Sequence, residues 1–432
     1  FVEGNFGYNG SENFSPNHRF GFFPSIAVGY VVSNEKFFAP IRDVVSMVKL
    51  KASYGLVGND QIGGDRRFIY NETVIGGGKY YFGTTPSQYT SVRLGEFPNP
   101  NVGWEKAKKL NLGADLSFFN QLNISVDYFK ENREGIFLQR KSIPMYVGLS
   151  TKPWVNIGKM RNSGIDASLE YHQPLGKDLH LTVRGNFTYA RNRIMDQDEP
   201  DYAYTYMNHS GQMQWQKFGL VAAGLFQDQE DIDSWAKQSF GEVKPGDIKY
   251  LDLNGDGIVD NYDTKPIGYS DIPEIVYGFG FSLQWKAFDL SAFFQGVAHV
   301  SFSTLTDQTQ AFVGRNLKES SVFADLYGNT WTPENPGAKY PRMTTGAIDN
   351  NNQLSTFWMA NGRYLRLKNL ELGYTLPKRI ANKIAMQSLR VYLSGVNLFT
   401  FSPFKLWDPD LQTGATNYPN NRIINLGLTI GF

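Results

Sequence analysis

The sequence contains no cysteine, which excludes a disulfide framework, thiolate metal ligation and thiol redox chemistry. It has no run approaching the ~18 consecutive apolar residues that a membrane-crossing helix requires. An excess of one charge sign is missing too: 42 Lys and Arg stand against 41 Asp and Glu, a formal net charge of +1. That balance argues against nucleic acid or another polyanion as a partner. The five histidines, His18, His172, His180, His209 and His299, are scattered, with no HExxH pair. No GxSxG elbow, P-loop or GxGxxG turn appears. The reading is therefore no enzyme, although a pair of loop carboxylates flanking a glycosidic bond stays open; their default reading is solvated loop surface.

What the chain has is alternation. From Leu181 to Tyr189, Leu181, Val183, Phe187 and Tyr189 share one face of an extended segment, and Thr182, Arg184, Asn186 and Thr188 share the other. The same holds for Leu110 to Phe118, Leu122 to Tyr128, Tyr277 to Trp285 and Ile424 to Phe432. Twelve such segments are expected, near 1–9, 19–31, 46–57, 104–119, 121–133, 160–173, 179–192, 272–286, 288–300, 361–376, 388–401 and 421–432. A soluble sandwich also alternates, so periodicity alone leaves both architectures open.

Connection length separates them. Every second join is tight: Asn120 alone, Gln173 to Lys177, Ala287 alone, and two stretches of about a dozen residues at 33–45 and 377–388. Of the other six, four are long, running from roughly 26 to 80 residues, all on one side of the segments. Short turns on one rim and long loops on the other are the signature of an outer-membrane barrel. The expected fold is all-β: a transmembrane antiparallel up-and-down β-barrel with short periplasmic turns, long extracellular loops and an outer-membrane location in a Gram-negative bacterium. Its 32 Phe and 24 Tyr suit interfacial girdles as well as a β-rich core. Arg184, Asp127, Asp115, Glu170 and Gln284 are expected in a wet lumen. Arg366 and Lys368, read in register with Leu370 and Leu372, are expected to sit above the hydrocarbon band, because Arg at its midplane costs ~2–4 kcal/mol.

One local motif carries chemistry. In the long loop 193–271, residues 252–263 place oxygen donors at the spacing of a calcium loop: Asp252, Asn254, Asp256, the Ile258 carbonyl, Asp260 and Asp263, with Gly257 at the sharp turn. Four carboxylates in twelve residues repel one another unless a cation or donors intervene. Structural Ca2+ that stiffens the loop is the expectation, and an ion-free Asn/Asp/Gly turn is the alternative. Aromatics also gather in the outer loops: Tyr80, Tyr81 and Tyr89; Tyr202, Tyr204, Tyr206 and Trp215; Trp407. Rings beside polar groups suit sugar faces or peptide side chains, so Tyr80, Tyr81, Tyr89, Tyr204, Tyr206, Trp215 and Trp407 are the candidate substrate contacts; loops packing on one another is the competing explanation.

Several blocks, in order, resemble a known family: Pro245-Gly246-Asp247-Ile248-Lys249-Tyr250 entering the calcium-type loop; Trp285 to Ser291 with Phe294-Gln295-Gly296; Tyr364-Leu365-Arg366-Leu367-Lys368-Asn369 with Leu372-Gly373-Tyr374; and Asn397-Leu398-Phe399-Thr400 with Asp408-Pro409. The chain resembles the SusC/RagA-like TonB-dependent outer-membrane transporters from about residue 20 onward. The resemblance implies a barrel of roughly 22 strands, a plug domain, energy from the TonB complex, and a SusD-like surface lipoprotein as lid. It implies import of an oligomeric nutrient, a glycan before an oligopeptide. Phe1 falls inside a segment with no initiator Met or signal region, and Phe432 closes the last one. The chain is thus expected to be the later part of a longer protein, without plug, TonB box and early strands. A passive porin-like or adhesin barrel, or a secreted glycan-binding β-protein with a dockerin-like calcium loop, remains the alternative at this point.

Overall fold

A computed structural model describes residues 1–432 apart from 64–65, 86, 150, 307–308, 310–322, 345, 385 and 415–416, with residue 384 in backbone only. Twelve strands form one antiparallel sheet in strict sequence order: β1 (Val2–Gly10), β2 (Phe20–Val31), β3 (Val45–Asn59), β4 (Glu105–Phe118), β5 (Leu122–Gln139), β6 (Trp154–Pro174), β7 (Leu179–Asp196), β8 (Ile275–Trp285), β9 (Phe288–Ala298), β10 (Tyr364–Thr375), β11 (Ser388–Phe401) and β12 (Ile423–Gly431). All twelve expected segments are present. The meander also puts every short join on one edge, and the long connections between β3 and β4, β7 and β8, and β9 and β10 on the other.

The sheet has two faces of opposite character. Phe6, Tyr8, Phe22, Ile26, Leu112, Phe187, Leu393 and Leu426 project from one face, all exposed, and Leu426 is 79% accessible. No second layer of described residues covers them, so Val183, Phe187, Leu283 and Leu426 do not pack into a sandwich core. The opposite face is ionic: Lys51 Nζ lies 2.8 Å from Asp115 and 3.4 Å from Asp127, and Ser125 donates to Asp115 at 2.7 Å. On the same face Arg184 pairs with Glu170 at 2.8 Å, and Arg390 bridges Asp289 and Glu371. Apolar side chains toward lipid and paired charges toward water satisfy both solvents.

Two departures from the sequence reading have local causes. Strands β5, β6 and β7 extend to Gln139, from Trp154 and to Asp196, beyond the expected 133, 160 and 192. Gly135 adopts φ +69°, the register shifts beside it, and pairing resumes with Ile136 opposite Gly158; the bulge breaks the alternation that the reading relied on. The second departure corrects the placement of Arg366. A bulge at Lys368 shifts β10 against both neighbours, so Arg366 pairs with Gln295 and Thr400 on the polar face. Arg366 is therefore not in register with Leu370 and Leu372; it is 2% exposed and ion-paired. One extra residue inverts every side chain beyond it.

Candidate substrate-facing rim and calcium-type loop

The loops β7–β8 and β9–β10 fold together into a unit with its own core. Leu220, Leu225, Ile248, Tyr250, Val259, Leu326, Trp331, Tyr340 and Trp358 form one buried cluster. Its polar centre is Asp247, fully buried, which accepts from Asn351 Nδ2 at 2.9 Å, the Lys244 amide at 2.8 Å and Arg342 Nη2 at 3.1 Å. Gly246 is needed for two reasons: its φ is +89°, and a Cβ there would lie 2.4 Å from the Trp331 ring. Tyr250 donates its hydroxyl to the Asn350 carbonyl at 2.9 Å, and burial pushes its pKa far upward. The tie between Asp247 and Arg342 spans 95 residues, and no spacing rule reveals it.

Residues 252–263 turn as the spacing suggests, and their oxygens are engaged by the loop's own amides. Asp252 accepts from the Gly255 and Gly257 amides at 2.7 and 2.8 Å, and Asp256 accepts from the Ile258 amide at 2.8 Å. Asn254 Nδ2 donates to Asp256 at 3.0 Å, and Asp260 accepts from the Tyr262 amide at 2.7 Å. Asp263, fully buried, accepts from the amides of Leu253, Asn254 and Asp260 at 2.7, 3.3 and 2.8 Å. These donors screen the carboxylates from one another. Among the described residues no three Asp, Glu or His side chains converge closely enough to hold an ion. The donor spacing fits calcium; the side-chain arrangement by itself supplies amide-closed turns.

The candidate aromatics separate into distinct places. Tyr80 and Tyr89 face each other across a hairpin, Val74–Phe82 against Ser87–Leu94, with Tyr81 beside them, all three exposed. Tyr204 and Tyr206 stack at 5.3 Å between centroids and lie on the calcium-type loop, where Tyr206 Oη donates to the Tyr262 carbonyl at 2.7 Å. Tyr262, which the sequence reading passed over, joins them edge-on to Tyr204 at 6.2 Å. Half-buried Tyr202 lies 6.1 Å from His209, whose pKa burial lowers. Trp215 is exposed at φ +60°. Trp407 is packed among Phe302, Phe323 and Phe404 and donates to the Gln412 carbonyl at 2.7 Å. The Trp407 loop is fastened below by Arg366, which holds Asp410 at 2.6 Å and also contacts Asp408; that clamp too escaped the sequence reading.

A twelve-stranded meander, apolar outside and ionic inside, with a packed loop layer on one rim, matches a known architecture. Residues 2–398 match the family model described as TonB dependent receptor-like, beta-barrel. The chain belongs to that family. It is 30% identical over 98% of its length to TonB-dependent receptor P3 of Formosa agariphila, covering 43% of that protein. It is 26% identical over 98% of its length to TonB-dependent receptor SusC of Bacteroides thetaiotaomicron, covering 41% of it. Among solved structures, a chain of the RagAB peptide transporter superposes on the whole of this one with a TM-score of 0.75 at 23% identity, and 46% of that chain is covered. The TonB-dependent receptor barrel therefore spans less than half the length of the curated relatives it matches, and it is an outer-membrane protein. The family assignment removes the secreted soluble alternative.

Proposed function

We propose that the complete protein imports an oligomeric nutrient across the outer membrane, with a SusD-like surface lipoprotein closing over the rim and the TonB complex supplying energy. Glycan is the substrate class put first and oligopeptide second. The observation that supports the reading is the loop layer: two long connections share a buried core centred on Asp247 and Trp358, so the rim offers a fixed surface to a lid and a substrate. Exposed Tyr80, Tyr81, Tyr89 and Trp215 and half-buried Tyr204 and Tyr206 are the proposed stacking contacts. Ca2+ bound by Asp252, Asn254, Asp256, Ile258, Asp260 and Asp263 is proposed on donor spacing alone, as a stiffener of the loop.

The test is uptake of fluorescent oligosaccharides and oligopeptides by cells carrying the full-length receptor, with and without a protonophore. Energy-dependent, partner-dependent uptake of the saccharide is expected. Uptake that survives the protonophore would make the barrel a passive pore, and entry of peptides alone would overturn the glycan assignment.

A further inference from the structure

We propose that the outer, lipid-facing side of β4–β7 holds the phosphorylated headgroup of an outer-leaflet lipid. The site follows from register. On this face Lys106 stands opposite Glu134, which stands opposite Lys159; Lys108 stands opposite Asn132, then Arg161, then Arg193; and Lys130 lies one rung nearer the hydrocarbon band. Strands lie about 4.8 Å apart and alternate residues nearly 7 Å apart, so the six cations share a patch about 15–20 Å across.

Their charge is largely unspent. Lys108 pairs with Glu134 at 2.9 Å, whereas Lys106, Lys130, Lys159, Arg161 and Arg193 have no carboxylate within 4.0 Å among the described residues. Arg161 donates to Asn132 at 3.1 Å, and Arg193 donates to the Gly211 carbonyl. Acidic groups on the patch are Glu134 and Asp196, the latter opposite Lys159, so positive charge predominates.

Position identifies the ligand. Lys130 shares its rung with Tyr54, Leu110 and Arg191, the last paired with Glu274 at 2.9 Å, and the next rung toward the membrane carries Leu112, Tyr128, Ile165 and Tyr189, an aromatic and apolar edge of the kind that marks the membrane interface. The cations lie immediately outside it, on the long-loop rim, at headgroup height. They are also concentrated in one sector: the last outward positions of β8, β9, β10 and β11 at that rim are Ile275, Ala298, Leu365 and Phe401, and Arg422, just before β12, lies over the Phe399 ring at 5.7 Å. Lysines that merely lifted their ammonium groups to water would be scattered around the rim. A localised cluster above a bare apolar wall fits a ligand with acyl chains below and phosphate above.

The complete receptor is placed in nanodiscs doped with diphosphorylated lipid A or its dephosphorylated form, and retained lipid is counted by native mass spectrometry. The expected result is preferential retention of the phosphorylated form. The preference should fall about tenfold in the Lys106→Ala/Lys159→Ala/Arg161→Ala variant, persist when the two lysines become Arg, and persist in Lys177→Ala at the opposite rim. Heat-modifiable mobility on gels checks that each variant is folded. Equal retention of both lipids by the wild type, or an unchanged preference in the triple alanine variant, would overturn the proposal. Displacement of the lipid by millimolar inorganic phosphate alone would overturn the assignment to lipid.

Discussion

Arg366 Nη1 lies 2.6 Å from Asp410 Oδ2, and Asp408 sits at Nη2 of the same guanidinium, so a strand residue with 2% exposure fastens the loop between β11 and β12. Thr400 accepts from Nε at 3.0 Å. Replacing Arg366 by Ala leaves both carboxylates without their cation, and breaking such a buried pair costs about 3 kcal/mol. The expected outcome is a loop 402–422 that exchanges its amides and is cut by trypsin at Lys405 or Arg422 while the strand ladder persists. Hydrogen exchange resolved to these segments checks it.

How much of this was legible beforehand depends on range. Strand existence and the two-sided pattern follow from period-two alternation, a local property, and every expected strand appears in the ladder. Bulges are not local: Gly135 and Lys368 change the count on one strand relative to its neighbours, and only pairing shows it. The Asp252–Asp263 turn was readable because its donors lie within twelve residues. The contacts of Asp247 with Arg342 and of Arg366 with Asp410 join loops far apart in sequence, and composition cannot pair them.

Trp358 tests whether the loop layer has a stability of its own. It is 2% exposed, belongs to the loop core, and donates Nε1 to the Asn351 carbonyl at 2.8 Å. Trp358→Ala removes a large buried ring, at a cost of about 3–5 kcal/mol. Since that core belongs to the loops, the variant should lose loop protection from protease and keep the heat-modifiable mobility of the barrel.

Asp263 is the keystone of the calcium-type loop, because it alone accepts three backbone N–H groups. Asp263→Ala orphans those donors, and charged-acceptor bonds of this kind contribute about 1.5–3 kcal/mol each. Faster exchange at Leu253, Asn254 and Asp260 is expected. In the wild type, added Ca2+ should slow exchange across 252–263; no response to millimolar Ca2+ would remove the ion from the proposal and leave the turn intact.

Asp325 gives a pH dependence with a definite sign. Hydrogen bonds from Lys339 and then from Tyr340, whose Oη lies 2.6 Å away, hold its carboxyl below the usual carboxylate range. A lowered folded-state value contributes stability that is present above the ordinary carboxylate range and lost as pH falls through the lowered one. The contact between Lys339 and Tyr340 and the segment around Asp325 should therefore loosen only below about pH 4. Asp325→Asn should show the loosened state at neutral pH and lose the acid transition, as Tyr340 fluorescence or exchange can report.

The lipid-facing assignment is the most exposed to refutation, since Leu426 lies near the middle of β12, on the face it shares with Leu393, its partner on β11. Nothing described covers it. In water a Leu so exposed gains by replacement with Arg; in hydrocarbon the same change costs ~2–4 kcal/mol near the midplane. Leu426→Arg in the complete receptor should lower the yield of heat-modifiable barrel in lipid vesicles, whereas Asn425→Arg, directed to the polar face, should be tolerated. Equal yields from both variants would mean that the two faces of β12 do not meet different solvents, and a lower yield from Asn425→Arg than from Leu426→Arg would reverse the assignment of the faces.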